Sequence, residues 1–488
     1  MLNQSTENPL DLILAQITQG FSFILPEIIL LCWILVSIFA ELFLHARTSK
    51  FASSWRYFIT QIGLVLALVL AFQRMYVGLE GFVCFNLFAV NPTSNILNTV
   101  IIFMGLLLML INQTQHKLIK HEEKIGFLSV LAGALLTSIS YHWLSIYVSL
   151  ELMSLGTYIL VGIRKDHEGA RASLPYVLFG IATSAIFLYG ISLVYGMSGT
   201  LSLQGENIVR ALNSNNPWLV GTSLALISSG ILFKMAWAPL HPWNPDAMET
   251  LPASWMSWIS IAPKIAVAGL GMRIVHLFPT LSIDVIAILA ILTLLVGNLG
   301  GLLQTNTKRL LAYSNIAHGG FMAMIWLFPY QDGSQALVFY SVLYSLSVLL
   351  VFYLTDNGKQ EIVKNDLGQF AGLGKTQPLY GLSLLLGFIA LTGLPPFGTF
   401  WAKLNYFGLL WNSYQISQSK AILALFTVAI LTTATSLFFY LKIPYQLYFK
   451  NKSEAGVEAI TVHKNYWIVA IIGLVLFFAF FFPNYFRA

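Results

Sequence analysis

The chain has 488 residues, 57% of them hydrophobic and 9% charged, with a formal net charge of +6 and a mean hydropathy of +0.75. Soluble domains carry about one quarter charged residues, so this composition excludes a water-soluble globular enzyme and points to an all-α polytopic membrane protein with lipid as its solvent. The basic residues sit in short loops between apolar spans, where they set topology and require neither nucleic acid nor an acidic partner.

In chain order, Met1 to Gly20 is acidic and lacks the basic start and small-residue cleavage site of a signal peptide, so the first apolar span is expected to do the targeting. About fourteen spans of bilayer length follow, at 22–44, 57–76, 94–113, 125–141, 143–163, 174–196, 218–240, 252–276, 281–303, 309–328, 335–354, 379–411, 420–441 and 465–484. The fourth and fifth are separated only by Tyr141 and His142, a tight turn. Eighteen of the 26 lysines and arginines, Arg47, Lys117, Lys124, Arg171, Lys308 and Lys464 among them, fall in loops after odd-numbered spans. Five, including Arg74, Arg273 and Arg487, fall on the other side with the termini, and three lie inside spans. By the positive-inside rule both termini face away from the cytoplasm, on the periplasmic side if the membrane is a bacterial inner membrane.

Two spans are interrupted. The seventh contains Lys234-Met-Ala-Trp-Ala-Pro239-Leu-His241-Pro242, and the twelfth Gly393-Leu-Pro395-Pro396-Phe-Gly398 followed by Lys403. Proline removes a backbone donor and clashes with the preceding turn, so both helices are expected to break there. Broken backbone at membrane depth persists only where it is buried in protein or lines a wet cavity, and matched breaks in two halves mark transporter ion paths. The breaks lie five spans apart, an odd number, so spans four to eight and nine to thirteen read as inverted five-helix repeats with discontinuous helices 7 and 12. The expected domains are an N-terminal three-helix segment (1–120), a first repeat (121–278), a second repeat (279–442) and a cytoplasmic loop with a last helix (443–488).

The charges inside the spans carry the chemistry. A central lysine or aspartate costs roughly 2.5–3.5 kcal/mol on insertion scales, so such groups face the interior, pair, and mark ion routes. Glu151 lies about 12 Å from the nearer end of its helix, too deep to reach water; it is either a functional partner of a buried lysine or a carboxyl held neutral by burial. Lys234 stands just before the first break. Paired with Glu151 it forms a proton switch, in which separation favours release of the lysine's proton and closure favours uptake; the other reading is a static ion pair. Lys264, after Pro263, is the most central charge, about 18 Å from either end of its span. Lys403 follows the second break and is either inward-facing or snorkelling along a long tilted helix. His318 and His241 are candidate proton relays, since the imidazole pKa lies near neutrality, or else histidines hydrogen-bonded in place. Glu27 reads as interfacial, Glu41 and Arg273 as structural.

Cys32 and Cys84 form no CxxC, haem or iron–sulfur pattern, and no phosphate-cradling loop, metal cluster or nucleophile–base arrangement is present. No redox cofactor or metal is expected in this chain, so energy for ion movement has to come from ion exchange or from partner subunits.

The segments Gly230-Ile-Leu-Phe-Lys234-Met-Ala-Trp-Ala-Pro-Leu-His-Pro-Trp-Asn-Pro-Asp246, Pro252-Ala-Ser, Pro263-Lys264-Ile-Ala, Lys308-Arg-Leu-Leu-Ala-Tyr-Ser-Asn-Ile-Ala-His318 and Gly393-Leu-Pro-Pro resemble the antiporter-like membrane subunits of respiratory complex I, which are shared with Mrp-type cation/proton antiporters and membrane hydrogenases. Within that family Leu25-Pro26-Glu27, a lysine in helix 12 and no lateral helix after span fourteen make the chain similar to the N branch. The resemblance implies a proton-translocating subunit of NADH:quinone oxidoreductase, with FMN, iron–sulfur clusters and quinone in partner subunits and with M-type and K-type neighbours. It also implies Glu151 and Lys234 as a coupled pair, Lys264 as central relay and Lys403 as exit-side group. The alternative is an Mrp-type antiporter subunit, which needs no redox partner. Where the family often carries a lysine at the start of helix 6, this chain reads Pro175-Tyr176.

Overall fold

The computed structural model describes residues 20–43, 50–115, 119–164, 167–275, 277, 283–356, 367–451 and 466–483. The acidic N-terminal stretch and several topology-setting bases (Arg47, Lys117, Lys165, Lys359, Lys364, Lys452, Lys464 and Arg487) lie outside the described residues.

The described chain is nearly all helix. α1 (Leu25–Phe43) and α2 (Lys50–Val77) precede a small antiparallel hairpin, β1 (Gly81–Val83) and β2 (Phe88–Val90), and then α3 (Pro92–Thr114). Next come α4 (His121–Ile139), α5 (Trp143–Val161), α6 (His167–Ser198), the short α7 (Glu206–Ser214), α8 (Pro217–Met235), α9 (Trp243–Thr250) and α10 (Ala253–Val275). The rest is α11 (Ile283–Leu303), α12 (Thr307–Ala323) with a 3-10 turn at Met324–Leu327, α13 (Tyr330–Thr355), α14 (Leu373–Thr376), α15 (Pro378–Thr392), α16 (Thr399–Ser417), α17 (Lys420–Tyr440), α18 (Lys442–Phe449) and α19 (Tyr466–Phe481). Among the described residues ten helices are long and apolar enough to cross a membrane. The other four expected spans correspond to α1, α4, the α15–α16 pair and α19.

α10, α12 and α13 are buried along most of their length, whereas α2, α6 and α17 turn most of their apolar surface outward. That is the pattern of a bundle dissolved in lipid, where no hydrophobic drive separates inner from outer apolar faces and close contact has to come from small residues. A Cβ at Gly133 of α4 would stand 2.6 Å from the Met153 backbone nitrogen of α5, and one at Gly297 of α11 2.6 Å from the Ala317 nitrogen of α12. Each antiparallel pair therefore packs backbone on backbone.

Both breaks are made before the prolines are reached. α8 ends on Ala236 in the left-handed conformation (φ 54°), whose N–H returns to the carbonyls of Leu232 and Phe233. α15 ends on Gly393 (φ 82°), whose N–H returns to Ile389 and Ala390. These are left-handed helix caps that satisfy the last carbonyls, with proline following where a helix can no longer continue. The seventh span thus stops as a helix at Met235 and resumes at Trp243.

Four expectations need correction. Lys124, expected in a loop, lies within α4 and is fully buried. Arg171, also expected in a loop, lies within α6, which starts at His167 and runs through Pro175. Glu27, expected at an interface, is fully buried inside the protein: it pairs with Arg74 Nη1 at 3.0 Å and accepts from Asn98 Nδ2 at 2.6 Å. Lys308, also expected in a loop, lies in the first turn of α12. Of the two readings of Lys403, the inward-facing one fits its burial.

At one end of the bundle α9 is tied to the start of α12. Arg309 donates to Asp246 at 2.7 Å and Glu249 at 2.9 Å, and Lys308 Nζ donates to the carbonyls of Leu251 at 2.7 Å and Glu249 at 3.3 Å. Lys442 Nζ likewise reaches the carbonyls of Leu302 and Gln304 beside the α11–α12 turn. Lysines at helix C-terminal carbonyls are favoured by the helix dipole.

Candidate functional site

The buried charges form one line through the middle of the bundle. At its first end, Glu151 is half-buried on α5. Lys234 occupies the last turn of α8, 8% exposed, with no hydrogen-bond partner for Nζ. The two are not in direct contact. Tyr158, two turns beyond Glu151 on α5, presents its ring 5.8 Å from the Lys234 Nζ. Tyr158 packs edge-on against Tyr176 of α6, whose hydroxyl meets Thr157 at 2.8 Å. Tyr176 is thus buried near the place where the sequence departs from its family's usual lysine.

At the centre, Lys264 on α10 is 1% exposed and its Nζ donates to the carbonyl of Asn315 on α12. One turn along α12, a Cβ at Gly319 would stand 2.7 Å from the Met235 carbonyl and 3.0 Å from Lys264 Nζ. Gly319 therefore marks the crossing of α8, α10 and α12, where Lys264 lies beside the backbone of the residue that follows Lys234.

From Lys264 the line continues through side chains. Tyr344 on α13 donates to Asn315 Oδ1 at 3.2 Å and to the Ser260 carbonyl at 3.3 Å, and its ring lies 4.7 Å from that of His318. His318 is held at both nitrogens: Nδ1 meets the Tyr340 hydroxyl at 2.7 Å and Nε2 the Tyr440 hydroxyl at 3.3 Å, while Tyr440 also bonds Ser314 Oγ. Beyond His318, a cavity of about 10 Å³ is lined by His318, Tyr340, Tyr344, Ser347, Thr399 and Lys403. That is about the room one water centre needs, and the polar side chains stand among walls that are otherwise apolar, Leu391 and Ala402 included.

Lys403, 5% exposed, closes the line. Its Nζ donates to the Thr392 carbonyl at 2.7 Å and lies 4.8 Å from the Phe321 ring centroid. Thr392 is the last residue of α15, so this carbonyl has no acceptor role within its own helix. Lys234 thus lies in the last turn of the first half of one broken helix, and the Lys403 ammonium reaches the C-terminal carbonyl of the first half of the other, where the dipole favours a cation.

The structure thus brings together Lys264, His318 and Lys403, sets Glu151 and Lys234 near one another without a direct bond, and leaves His241 in the first break, half-buried, with Nδ1 unpartnered. Reading the sequence for charge missed Tyr340, Tyr344 and Ser347, whose i, i+4, i+7 spacing is a polar stripe on one face of an apolar helix. It also missed Ser314 and Asn315, one turn before His318. Nothing in the sequence singles out Tyr440.

A family model described as NADH:quinone oxidoreductase/Mrp antiporter, transmembrane, matches residues 140–433. NADH-quinone oxidoreductase subunit N 1 of Thermodesulfovibrio yellowstonii is 34% identical over 379 residues, covering 75% of this chain and 79% of that protein. A chain of respiratory complex I from Thermus thermophilus with bound aureothin superposes with a TM-score of 0.76 at 27% identity, covering 94% of this chain and 97% of that one. A chain of the Mrp complex of a Dietzia species shares the fold, with a TM-score of 0.78 at 19% identity and 95% of each chain covered.

Proposed function

The chain belongs to the NADH:quinone oxidoreductase/Mrp antiporter transmembrane family, and from that premise we propose that it is the N-type, proton-translocating membrane subunit of a proton-pumping NADH:quinone oxidoreductase of a respiratory chain. It is a multi-pass membrane protein. The observation that carries the proposal is the unbroken buried sequence Lys264–Asn315–Tyr344–His318–Tyr340–Lys403, in which each ionisable group is linked to the next by a hydrogen bond, a ring contact or a water-sized cavity. Ionisable residues at this depth are expensive unless they serve an ion route.

In this reading Glu151 and Lys234 form the coupled pair at one end. Closing their gap favours the protonated lysine; opening it favours passing the proton on toward Lys264. Lys264 is the central relay, His318 hands the proton between Lys264 and the cavity, and Lys403 is the exit-side group. His241 serves the break beside Lys234. FMN, iron–sulfur clusters and quinone belong to partner subunits, with M-type and K-type membrane subunits as neighbours, and electron transfer there drives the opening and closing here. Spans four to eight (121–278) and nine to thirteen (279–442) act as inverted repeats. Supporting this are the matched left-handed caps at Ala236 and Gly393 and the two backbone-packed pairs α4–α5 and α11–α12. The proposed location is a bacterial inner (plasma) membrane, and the excess of bases after odd-numbered spans supports an orientation there with both termini on the periplasmic side. An Mrp-type antiporter role shares the family model and the fold, whereas the relative at 34% identity is named as a quinone oxidoreductase subunit.

The test is quinone-dependent proton pumping by membranes carrying Lys264→Ala, with assembly checked by native gel. Normal assembly with pumping and coupled oxidation both sharply reduced is the expected result. Unchanged pumping in an assembled complex removes Lys264 from the path.

A further inference from the structure

The hydrogen bonds around His318 form a branched wire, and one branch leaves the lysine line altogether. Ser314 Oγ bonds Tyr440 Oη; Tyr440 Oη meets His318 Nε2 at 3.3 Å; His318 Nδ1 meets Tyr340 Oη at 2.7 Å; and Tyr340 opens on the cavity shared with Lys403. All four side chains are buried. Three are hydroxyls, able to donate and accept at once, and the fourth is an imidazole bound at both nitrogens, so the chain of bonds supports either polarity without movement of heavy atoms.

The direction of the branch follows from where its members sit. Ser314 is seven residues into α12, about 10 Å along the helix axis from its start, and Tyr440 is the last residue of α17. That end of α12 and α17 carries Lys308, Arg309 and Lys442. It is the basic end of the bundle, which the positive-inside rule assigns to the cytoplasm. The lysine line runs across the bundle; the Ser314–Tyr440 branch runs from His318 toward this basic end.

We infer that Ser314 and Tyr440 form a proton-uptake branch from the cytoplasmic side onto His318, delivering to Lys403. This rests on the proton-translocating role proposed above. The step balances as a relay. A proton arriving at Ser314 Oγ releases the Ser314 proton to Tyr440 Oη, and Tyr440 passes its own to His318 Nε2. His318 gives up the Nδ1 proton to Tyr340, and Tyr340 gives its proton through the cavity to the neutral Lys403 amine. Each hydroxyl gains and loses one proton, the imidazole gains at Nε2 what it loses at Nδ1, and the net change is one proton moved to Lys403. The hydroxyls reset by rotation; His318 resets by swinging out of its two bonds and, through water in the cavity it lines, losing the Nε2 proton and gaining one at Nδ1, with no net proton moved.

The experiment compares Tyr440→Phe, Ser314→Ala and the double variant in the assembled complex, with Lys264→Ala and Lys403→Ala as controls, reading proton pumping per quinone reduced and assembly by native gel. Tyr440→Phe keeps the ring against Phe439 and Phe388 and removes only the hydroxyl, so packing alone predicts no change. The expected result is a fall in coupled proton transfer of about tenfold for each single variant, with no further fall in the double because the two act in series. Wild-type pumping in Tyr440→Phe overturns the branch. If the Lys264→Ala and Lys403→Ala controls also pump normally, the translocation reading itself has failed; if they do not pump, only the branch has. Should Tyr440→Phe fail to assemble, Ser314→Ala decides alone by the same readout. The side of uptake is read by Ser314→Cys in a chain lacking Cys32 and Cys84. A small membrane-impermeant thiol reagent is expected to modify it from the cytoplasmic face during turnover; modification from the opposite face only, or from neither, overturns the direction.

Discussion

Lys403 donates its ammonium to the carbonyl of Thr392, 2.7 Å away, across the gap between the two halves of a broken helix. The bond joins a titratable group on α16 to the buried C-terminal end of α15, so the protonation state of Lys403 is coupled to the geometry of the break. A protonated lysine holds the halves together through a charge-assisted bond at the negative end of a helix dipole; a neutral amine holds them less well.

Lys403→Arg tests this directly. A guanidinium keeps the positive charge and the dipole interaction but does not release a proton in a protein. The complex is expected to assemble normally while proton pumping is lost. Wild-type pumping in this variant means that Lys403 need not deprotonate.

Gly319→Ala is expected to disturb the crossing of three helices. The new methyl group would meet the Met235 carbonyl at 2.7 Å and Lys264 Nζ at 3.0 Å, and overpacking of this kind costs about 1–3 kcal/mol. Because one of the displaced atoms is the central ammonium, pumping should fall more than thermal stability of the complex does. Equal pumping in the variant and the wild type places Lys264 further from Gly319 during turnover than at rest.

Ala236 adopts φ 54° at the end of α8, a conformation that costs a residue with a Cβ about 1–2 kcal/mol. Ala236→Gly relieves the strain and is expected to leave the heat stability of the complex unchanged or higher, whereas Ala236→Val lowers it. A marked loss of stability on changing to glycine shows that the left-handed cap does not govern this break.

The Glu27–Arg74 pair gives a stability prediction far from the proton line. Glu27 is 0% and Arg74 2% exposed, and removing one partner of a buried pair costs about 3–5 kcal/mol, because the other charge is left uncompensated. Glu27→Leu or Arg74→Leu alone should impair assembly, and the double replacement should recover part of the loss. A double variant worse than either single one means that the hydrogen bonds from Asn98 and to Phe23 outweigh the charge pairing.

The sequence made the charges legible and the neutral polar groups between them illegible. Lys234, Lys264 and Lys403 stand out because an ammonium within an apolar span has an unavoidable desolvation cost, and the inward position of all three agrees with that reasoning. Tyr340, Tyr344 and Tyr440 escape it, since tyrosine is also the commonplace residue of membrane interfaces and helix packing, and only tertiary contact distinguishes the two uses. Lys124 was misjudged for a simpler reason. It lies four residues into α4, and moving one helix boundary by that amount turns a loop base into a buried side chain that donates to the Ser37 carbonyl at 3.2 Å and lies 3.6 Å from Glu41. Proline correctly located both breaks, but the chain leaves the helix two or three residues earlier, at caps that residue type alone does not announce.

The ties between α9 and the head of α12 have a mechanical meaning. Arg309 and Lys308 grip α9 by two carboxylates and two carbonyls. The same helix, nine residues further on, carries His318. A tilt of the detached half-helix therefore pulls on a rigid rod whose far portion bears Asn315, His318 and Gly319, the residues that touch Lys264, Tyr340 and Met235. The short segment after the first break is a handle at the rim of the protein, and α12 is the shaft that carries its displacement to the centre of the membrane.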